Sequence, residues 1–265
     1  MFFVIEYNKG GMFMKNDFEE RIEKLQRLID NSNRIVFFGG AGVSTESGIP
    51  DFRSKDGLYN QKDVKFDKYQ PEYLLSHSCL YNKPKVFYEF YRQKMDVRNI
   101  EPNITHYKLA ELEQKNKMLG IITQNIDGLH QKAGSKKVFE IHGTTTKNYC
   151  SRCKKEYPMD YIFKCEDAIP FCPDCGNKGM IRPDVTLYEE NLPDEAVGNA
   201  ISALQHADLL IIGGTSLTVA PACTMIQYYY GEHLVLINRD ETSYDNYADL
   251  LFHEGLGDVF RKIKI

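Results

Sequence analysis

Four cysteines stand in two close pairs, Cys150-x-x-Cys153 and Cys172-x-x-Cys175, with 18 residues between the pairs. Two residues between thiols let each pair fold into a tight knuckle, and Pro173 and Gly176 supply turn chemistry beside the second. Two knuckles converging on one point would give a tetrahedral four-thiolate site suited to zinc. Such a site keeps no position for water, so its metal would be structural. A pair of redox-active Cys-x-x-Cys sites is the competing chemistry for the same spacing. Cys165 lies between the knuckles and Cys79 and Cys223 lie elsewhere; the expectation for these three is a buried free thiol.

A second candidate is Gly39-Gly40-Ala41-Gly42-Val43-Ser44. Glycines after a strand allow a tight turn and bring backbone N–H groups close to a pyrophosphate at a helix N-terminus. Thr45 occupies the place of the third glycine of a standard dinucleotide fingerprint, and a turn with no ligand fits these residues as well. Thr123-Gln124-Asn125-Ile126-Asp127-Gly128-Leu129-His130 follows an apolar run. Its polar residues should sit at a strand's C-terminal end, where open α/β sheets bind ligands, although Asn-x-Asp-Gly is most often a plain turn. His142, in Ile141-His142-Gly143, could accept a proton near neutral pH; a lone histidine at a strand end is also often structural.

The elements that must position these residues alternate. Apolar positions at helical spacing predict a helix over 17–33, followed by a buried strand from Arg34 to Phe38. Further strands are expected at Met118–Thr123, Val138–Ile141, Ala207–Ile212 and His233–Asn238, with helices over 103–117 and 194–205. Such alternation predicts an α/β fold, a Rossmann-like parallel sheet covered on both faces. Residues 54–100 (loop and short helices) and 144–181 (the cysteine pairs) interrupt the rhythm and read as insertions. The expected organisation is a core of 17–53, 101–143 and 182–265, a helical module of 54–100, a zinc-binding module of 144–181, and an N-terminal extension of 1–16.

The 265 residues are 42% hydrophobic and 26% charged, with a net charge of −4 from 37 acidic and 33 basic side chains. This near balance gives no support to a nucleic-acid or membrane binder. The opening Met1-Phe2-Phe3-Val4-Ile5-Glu6 has no basic n-region, and no apolar run approaches the ~18 residues of a membrane span. A cytoplasmic, reducing location is expected, in which seven cysteines suggest metal rather than disulfides.

The stretch Gly40–Ser54, GAGVSTESGIPDFRS, resembles the cofactor loop of the sirtuin (Sir2-type) family of NAD-dependent protein deacylases. TQNIDGLH, Ile141-His142-Gly143-Thr144, Gly214-Thr215-Ser216-Leu217 with Val219 and Pro221, and Ile237-Asn238 match in the family's order, from about residue 20 to the end. The resemblance implies an enzyme that consumes NAD as co-substrate and takes an acylated lysine in a protein, releasing nicotinamide, O-acyl-ADP-ribose and free lysine. In the family pattern the acyl oxygen attacks the ribose C1′ as nicotinamide leaves.

It implies NAD contacts at Gly40, Ala41, Gly42 and Ser44, and at Gly214, Thr215 and Ser216. Asp51, Phe52 and Arg53 would order the loop over NAD. Gln124, Asn125, Ile126 and Asp127 would line the nicotinamide end, and Asn238 the adenosine ribose. Asn125 and His142 would be catalytic, His142 as the base acting on the ribose hydroxyls. Among the other histidines, His130 is expected to be structural, and His77, His106, His206, His233 and His253 have no such context.

The substrate would pair as an added strand with the segment containing Val185, Tyr188 and Glu189 on one side and Val219 on the other. The family's usual Phe-Gly is replaced here by Tyr188-Glu189, which brings bulk and negative charge near the groove. Relatives that prefer acidic acyl groups carry Tyr-x-x-Arg; Tyr88-x-x-Tyr91 and Tyr91-x-x-Lys94 do not match it, so an uncharged acyl group is expected.

An ADP-ribosyltransferase using the same pocket is the alternative. A dehydrogenase lacks support, because the third glycine is missing and Asn238 replaces an acidic ribose ligand. A non-enzymatic zinc-binding interaction module would leave TQNIDGLH and Ile-His-Gly without purpose.

Overall fold

The computed structural model describes residues 10–52, 57–58 and 63–265, the first seven of these as backbone alone. Helix α1 (Gly10–Asn31) starts earlier than the expected residue 17 and buries Ile22, Leu25 and Ile29. Strand β1 (Ile35–Gly39) follows and is buried throughout. The region after it holds three short helices, α2 (Pro71–Leu74), α3 (His77–Asn82) and α4 (Pro84–Lys94). Then come α5 (Ile104–Gln114), β2 (Met118–Thr123), α6 (Leu129–Lys132) and β3 (Val138–Glu140). The cysteine region contains β4 (Gly143–Cys150), β5 (Glu156–Pro158), α7 (Asp160–Lys164) and β6 (Ile181–Val185). The chain closes with α8 (Asp194–His206), β7 (Leu209–Gly213), β8 (His233–Ile237), β9 (Leu250–Phe252) and α9 (Leu256–Lys262).

Six strands form one parallel sheet in the order β3-β2-β1-β7-β8-β9. The expected strands are present within one or two residues at their ends, whereas β9 and α9 are additions that the sequence patterns did not indicate. Alternation along each strand divides the core. Ile35 and Phe37, Leu209 and Ile211, and Val235 and Ile237 face the cluster covered by α1, α5 and α9. Val36 and Phe38, Leu210 and Ile212, and Leu236 face the opposite cluster with Ala200, Ala203 and Leu204 of α8. Burial on both faces explains why these strands read as continuous apolar runs. Each fully buried large side chain, such as Phe37 or Phe38, contributes roughly 2–3 kcal/mol.

The two interrupting regions share a third apolar cluster. Phe87, Tyr88, Phe90 and Tyr91 of α4 pack with Ile162, Ile181, Val185 and Leu187. Tyr88 and Tyr91 are therefore core residues, and the Tyr88 hydroxyl donates to the Ile181 carbonyl at 2.9 Å. β4 is the centre of a small antiparallel sheet, β5-β4-β6.

The strand order reverses between β1 and β7. From β1 the chain builds outward through β2 and β3, and from β7 outward through β8 and β9. A parallel sheet opens a crevice at the carboxyl ends of its strands where the order reverses. Gly39 and Gly213, paired across that boundary, end at its floor.

Candidate functional site

Two loops cross above the sheet. Gly40 N–H donates to the Gly213 carbonyl at 3.2 Å and Gly42 N–H to the Gly214 carbonyl at 2.8 Å. A Cβ on Gly42 would stand 2.7 Å from the Gly214 Cα, and one on Gly40 2.7 Å from the Thr215 Cβ. These two glycines thus let the loops touch, and their N–H groups serve that contact, contrary to the expectation that they face a pyrophosphate. The expected helix N-terminus is also replaced. Two single 3₁₀ turns, Ala41–Val43 and Thr45–Ser47, follow β1 and end at Gly48 with φ 91°.

Polar side chains meet at the same crevice. The Ser44 hydroxyl, 1% exposed, donates to Asp127 Oδ2 at 2.7 Å and accepts from Asn125 Nδ2 at 3.0 Å. Thr123 Oγ1 accepts the Asn125 N–H at 3.0 Å, and Asp127 Oδ1 the Leu129 N–H at 2.9 Å. Burial pushes the Asp127 carboxyl above its ordinary value, while the Leu129 N–H and the Ser44 hydroxyl pull it back. Gln124 Nε2 reaches Thr215 Oγ1 at 3.0 Å, tying the 124–127 segment to the second loop. The set joins amide, hydroxyl and carboxylate groups in one largely buried cluster, the chemistry a carboxamide and ribose hydroxyls require.

His142 stands where β3 ends and β4 begins. Its Nδ1 lies 3.0 Å from the Gln124 carbonyl, which can only accept, so Nδ1 carries the proton. In the neutral ring Nε2 then holds the lone pair. The His142 carbonyl accepts the Thr186 N–H at 2.8 Å, which ties the histidine to the segment that follows β6.

Val185 pairs with Gly143 across the β4–β6 ladder. Tyr188 is bridged to the helical region, its N–H on the Leu75 carbonyl at 3.0 Å and its carbonyl on the His77 N–H at 3.0 Å. Glu189 has φ 74°, a conformation suited to glycine. Its carboxylate accepts the Ser78 N–H at 2.9 Å, so its charge is engaged with α3. Beside it Glu190 makes a two-point ion pair with buried Arg182, at 2.6 and 2.8 Å. Val219 is half-buried on the second loop, and its carbonyl accepts the Cys223 N–H.

Asp51 accepts the Leu58 N–H on its carbonyl, and Phe52 packs on the small-region cluster, as does Ile126. Ser216 is exposed and bonds Thr218, and Asn238 directs its side-chain amide to the Asp240 carbonyl at 2.8 Å. Arg53 lies outside the described residues. Of the remaining histidines, His130 is buried against Phe37 and His106, with ring centroids 6.4 and 4.8 Å away, a structural placement.

The four knuckle cysteines converge. Their sulfurs all lie within 4.8 Å of one another, with Cys150–Cys175 at 3.8 Å and Cys153–Cys172 at 3.7 Å. A tetrahedron with metal–sulfur bonds of about 2.3 Å has sulfur–sulfur edges of about 3.8 Å. The donor set fits a single zinc ion and joins both pairs in one site, which two separate redox pairs would not do. Cys79 is buried as expected, whereas Cys165 and Cys223 are partly exposed: Cys165 follows α7, and Cys223 lies at the edge of a 3₁₀ stretch, Ala222–Tyr228, packed on the α8 side of the sheet.

One positioning residue escaped the sequence reading. Asn103 begins α5 and, through Nδ2, donates to the Val43 carbonyl at 2.8 Å and to Ser47 Oγ at 3.1 Å. Asn103-x-x-His106 forms a capping box, and that local pattern was available as a signal.

The chain is similar to known proteins over most of its length. The Sir2 family model matches residues 40–221. An NAD-dependent protein deacetylase of Clostridium acetobutylicum is 49% identical over 244 residues, 92% of this chain and 98% of that protein. One of Cutibacterium acnes is 49% identical over 91% of this chain and 97% of its own length. A solved Sir2 structure with p53 peptide and NAD+ has a TM-score of 0.79 and 38% identity, covering 91% of this chain and 96% of that one. Another, with deacetylated p53 peptide and 3′-O-acetyl ADP ribose, has a TM-score of 0.82, 37% identity and the same coverage.

Proposed function

The chain belongs to the Sir2 family, and from that premise we propose that it is an NAD-dependent protein lysine deacylase. Its products would be nicotinamide, O-acyl-ADP-ribose and free lysine. The observation that carries the reading is the Asn125–Ser44–Asp127 chain of hydrogen bonds at the sheet's switch point, joined through Gln124 to His142.

The residues divide the work as follows. Asn125 and Asp127, held by Ser44, orient the nicotinamide end, and orientation lowers a barrier substantially when reacting atoms are aligned. Gly40, Ala41, Gly42 and Ser44, with Gly214, Thr215 and Ser216, form the floor under the phosphates, and Asn238 lies toward the adenosine ribose. Bound NAD supplies a C1′ carbon from which nicotinamide can leave. His142 Nε2 takes the proton of a ribose hydroxyl while Nδ1–H stays on the Gln124 carbonyl. Val185, Tyr188 and Glu189 on one side and Val219 on the other bound the peptide channel, and Asp51, Phe52 and Arg53 would order the loop over NAD. The acyl group would be uncharged, because neither Tyr88-x-x-Tyr91 nor Tyr91-x-x-Lys94 supplies the arginine that would grip an acyl carboxylate. Cys150, Cys153, Cys172 and Cys175 would hold one structural zinc and take no part in the chemistry.

Residues 17–53, 101–143 and 182–265 would form the NAD-holding core, 54–100 a helical module, 144–181 the zinc module and 1–16 an extension, with β6 (Ile181–Val185) crossing the last boundary as part of the small sheet. None of the described helices is long and apolar enough to cross a membrane. Thiolate zinc ligands suit a reducing compartment, and a cytoplasmic location is part of the proposal.

The test is incubation of the purified protein with an acetyl-lysine peptide, with and without NAD, following peptide and nucleotide masses together. Loss of the acetyl mass only with NAD, matched by nicotinamide and O-acetyl-ADP-ribose, is the expected result. A protein gaining the mass of ADP-ribose without deacetylation would replace the reading with the transferase.

A further inference from the structure

Glu46 lies in the middle of the GAGVSTESG turn, yet its side chain leaves the crevice and ends on the last helix. Glu46 Oε1 accepts the Gly257 N–H at 2.8 Å, and Oε2 pairs with the Arg261 guanidinium at 2.9 Å. Gly257 is buried in α9, and a Cβ there would overlap the Glu46 carboxylate. An absent side chain on one element therefore makes room for a charged one from another, 211 residues away in sequence. α9 is itself fixed to the sheet. Leu256, Val259 and Phe260 are buried in the main cluster, Phe260 meets Phe37 of β1 edge-on at 6.2 Å, and a Cβ on Gly213 would strike Leu256.

We propose that Glu46 is a positioning residue for NAD: it anchors the 41–47 turn to α9 so that Ser44 stands between Asn125 and Asp127. The turn has no α-helical hydrogen-bond ladder of its own, only two 3₁₀ turns, so its place depends on outside anchors. Asn103 supplies one, holding Val43 and Ser47 from α5. The Gly42 N–H on the Gly214 carbonyl is a second, and Glu46 supplies a third, from between Val43 and Ser47. A charge-assisted bond to a backbone N–H is stronger than a neutral one, and this bond reaches a helix already locked in the core. The partly exposed Arg261 pair adds little, since surface ion pairs are weak.

This role rests on the reading of the turn as part of the NAD site. The test compares Glu46→Ala, Glu46→Gln, Gly257→Ala and Arg261→Ala with the wild type. It measures the NAD Kd by titration calorimetry, steady-state kcat and KM for NAD and for an acetyl-lysine peptide, and thermal unfolding to show that each variant folds. Glu46→Ala and Gly257→Ala are expected to raise the Kd and KM for NAD about tenfold, with kcat at saturating NAD and the peptide KM within twofold. Glu46→Gln keeps an acceptor and should recover to within threefold of wild type, and Arg261→Ala should stay within twofold. A folded Glu46→Ala with unchanged NAD Kd overturns the role, as does a Glu46→Gln no better than Glu46→Ala. If Gly257→Ala fails to fold, the two Glu46 variants decide. A wild type that binds no NAD sinks the reading of the site itself and this role with it, a result distinct from wild-type binding that Glu46→Ala leaves untouched.

Discussion

Gly143 faces the carbonyl of Asp184 so closely that no Cβ could stand between them. Its φ is 71°, and it is the residue directly after His142. Gly143→Ala should therefore cost about 1–2 kcal/mol for the backbone conformation alone and more for the displaced ladder. The expected outcome is a lower denaturation midpoint and a fall in kcat larger than the stability loss explains. A soluble variant with wild-type kcat would show that the start of β4 does not set the position of His142.

The protonated Nδ1 of His142 is fixed by the Gln124 carbonyl, leaving Nε2 as the base. His142→Ala should lower deacetylation by about 10²–10⁴-fold while the NAD Kd measured by calorimetry stays within a few-fold of wild type. Loss of soluble protein would make the histidine structural.

Ser44→Ala removes one hydroxyl that serves both Asn125 and Asp127. Leaving buried groups unpaired costs about 1–3 kcal/mol. The KM for NAD should rise roughly 5- to 100-fold, with the peptide KM unchanged; parallel changes in both would place Ser44 outside the nicotinamide end.

Elemental analysis should find one zinc per chain, lost on mutation of Cys172 to Ser. β6 leaves the cysteine site and runs to Val185, and Thr186 then bonds the His142 carbonyl, so metal loss should lower both kcat and the unfolding temperature. A metal-free protein with full activity and stability would contradict a structural zinc.

His106 and His130 are buried with ring centroids 4.8 Å apart. Burial depresses both, to about 4 and about 3, the neighbouring His106 adding to the effect on His130. The unfolded chain takes up these protons near pH 6.5. Stability from the neutral rings is therefore complete above that pH and declines as pH falls toward 4 and 3. By pH 5 the loss should be about 2 kcal/mol for each ring, read as a lower midpoint in chemical denaturation. His106→Gln, which keeps an acceptor for the Asn103 N–H, should flatten this dependence; an unchanged slope would assign the acid lability elsewhere.

What could be read from the sequence was local in sequence. The cysteine site announces itself because two residues between thiols already impose proximity, and the long apolar strands do so because burial on both faces leaves no polar positions. β9 and α9 escaped because three and seven residues show little period of their own; β3 is as short as β9 but is flanked by the Ile-His-Gly motif, which marks its position. Ser44, Asn125 and Asp127 came from family resemblance; the hydrogen bonds that unite them cross 81 and 83 residues and leave no mark on spacing. Glu46 and Gly257 are further apart still, and nothing in either neighbourhood signals the other. The glycines of the turn were visible, but their service to loop–loop contact depends on Gly214, a partner that only the sheet order supplies.

The zinc-bearing excursion leaves the core at Gly143 and returns at Val185, two residues that form one rung of a ladder. Its entry and exit are thus clasped at the neck, and the length of what hangs below is decoupled from the distance between its ends. Each doubling of a flexible loop costs only about 0.6 kcal/mol in closure entropy. Chain closure therefore sets no fixed length for the 151–180 stretch; what limits a longer or shorter zinc module beneath the same rung is the packing of Ile162 against α4 and the grip of Arg92 on the Ile162 carbonyl.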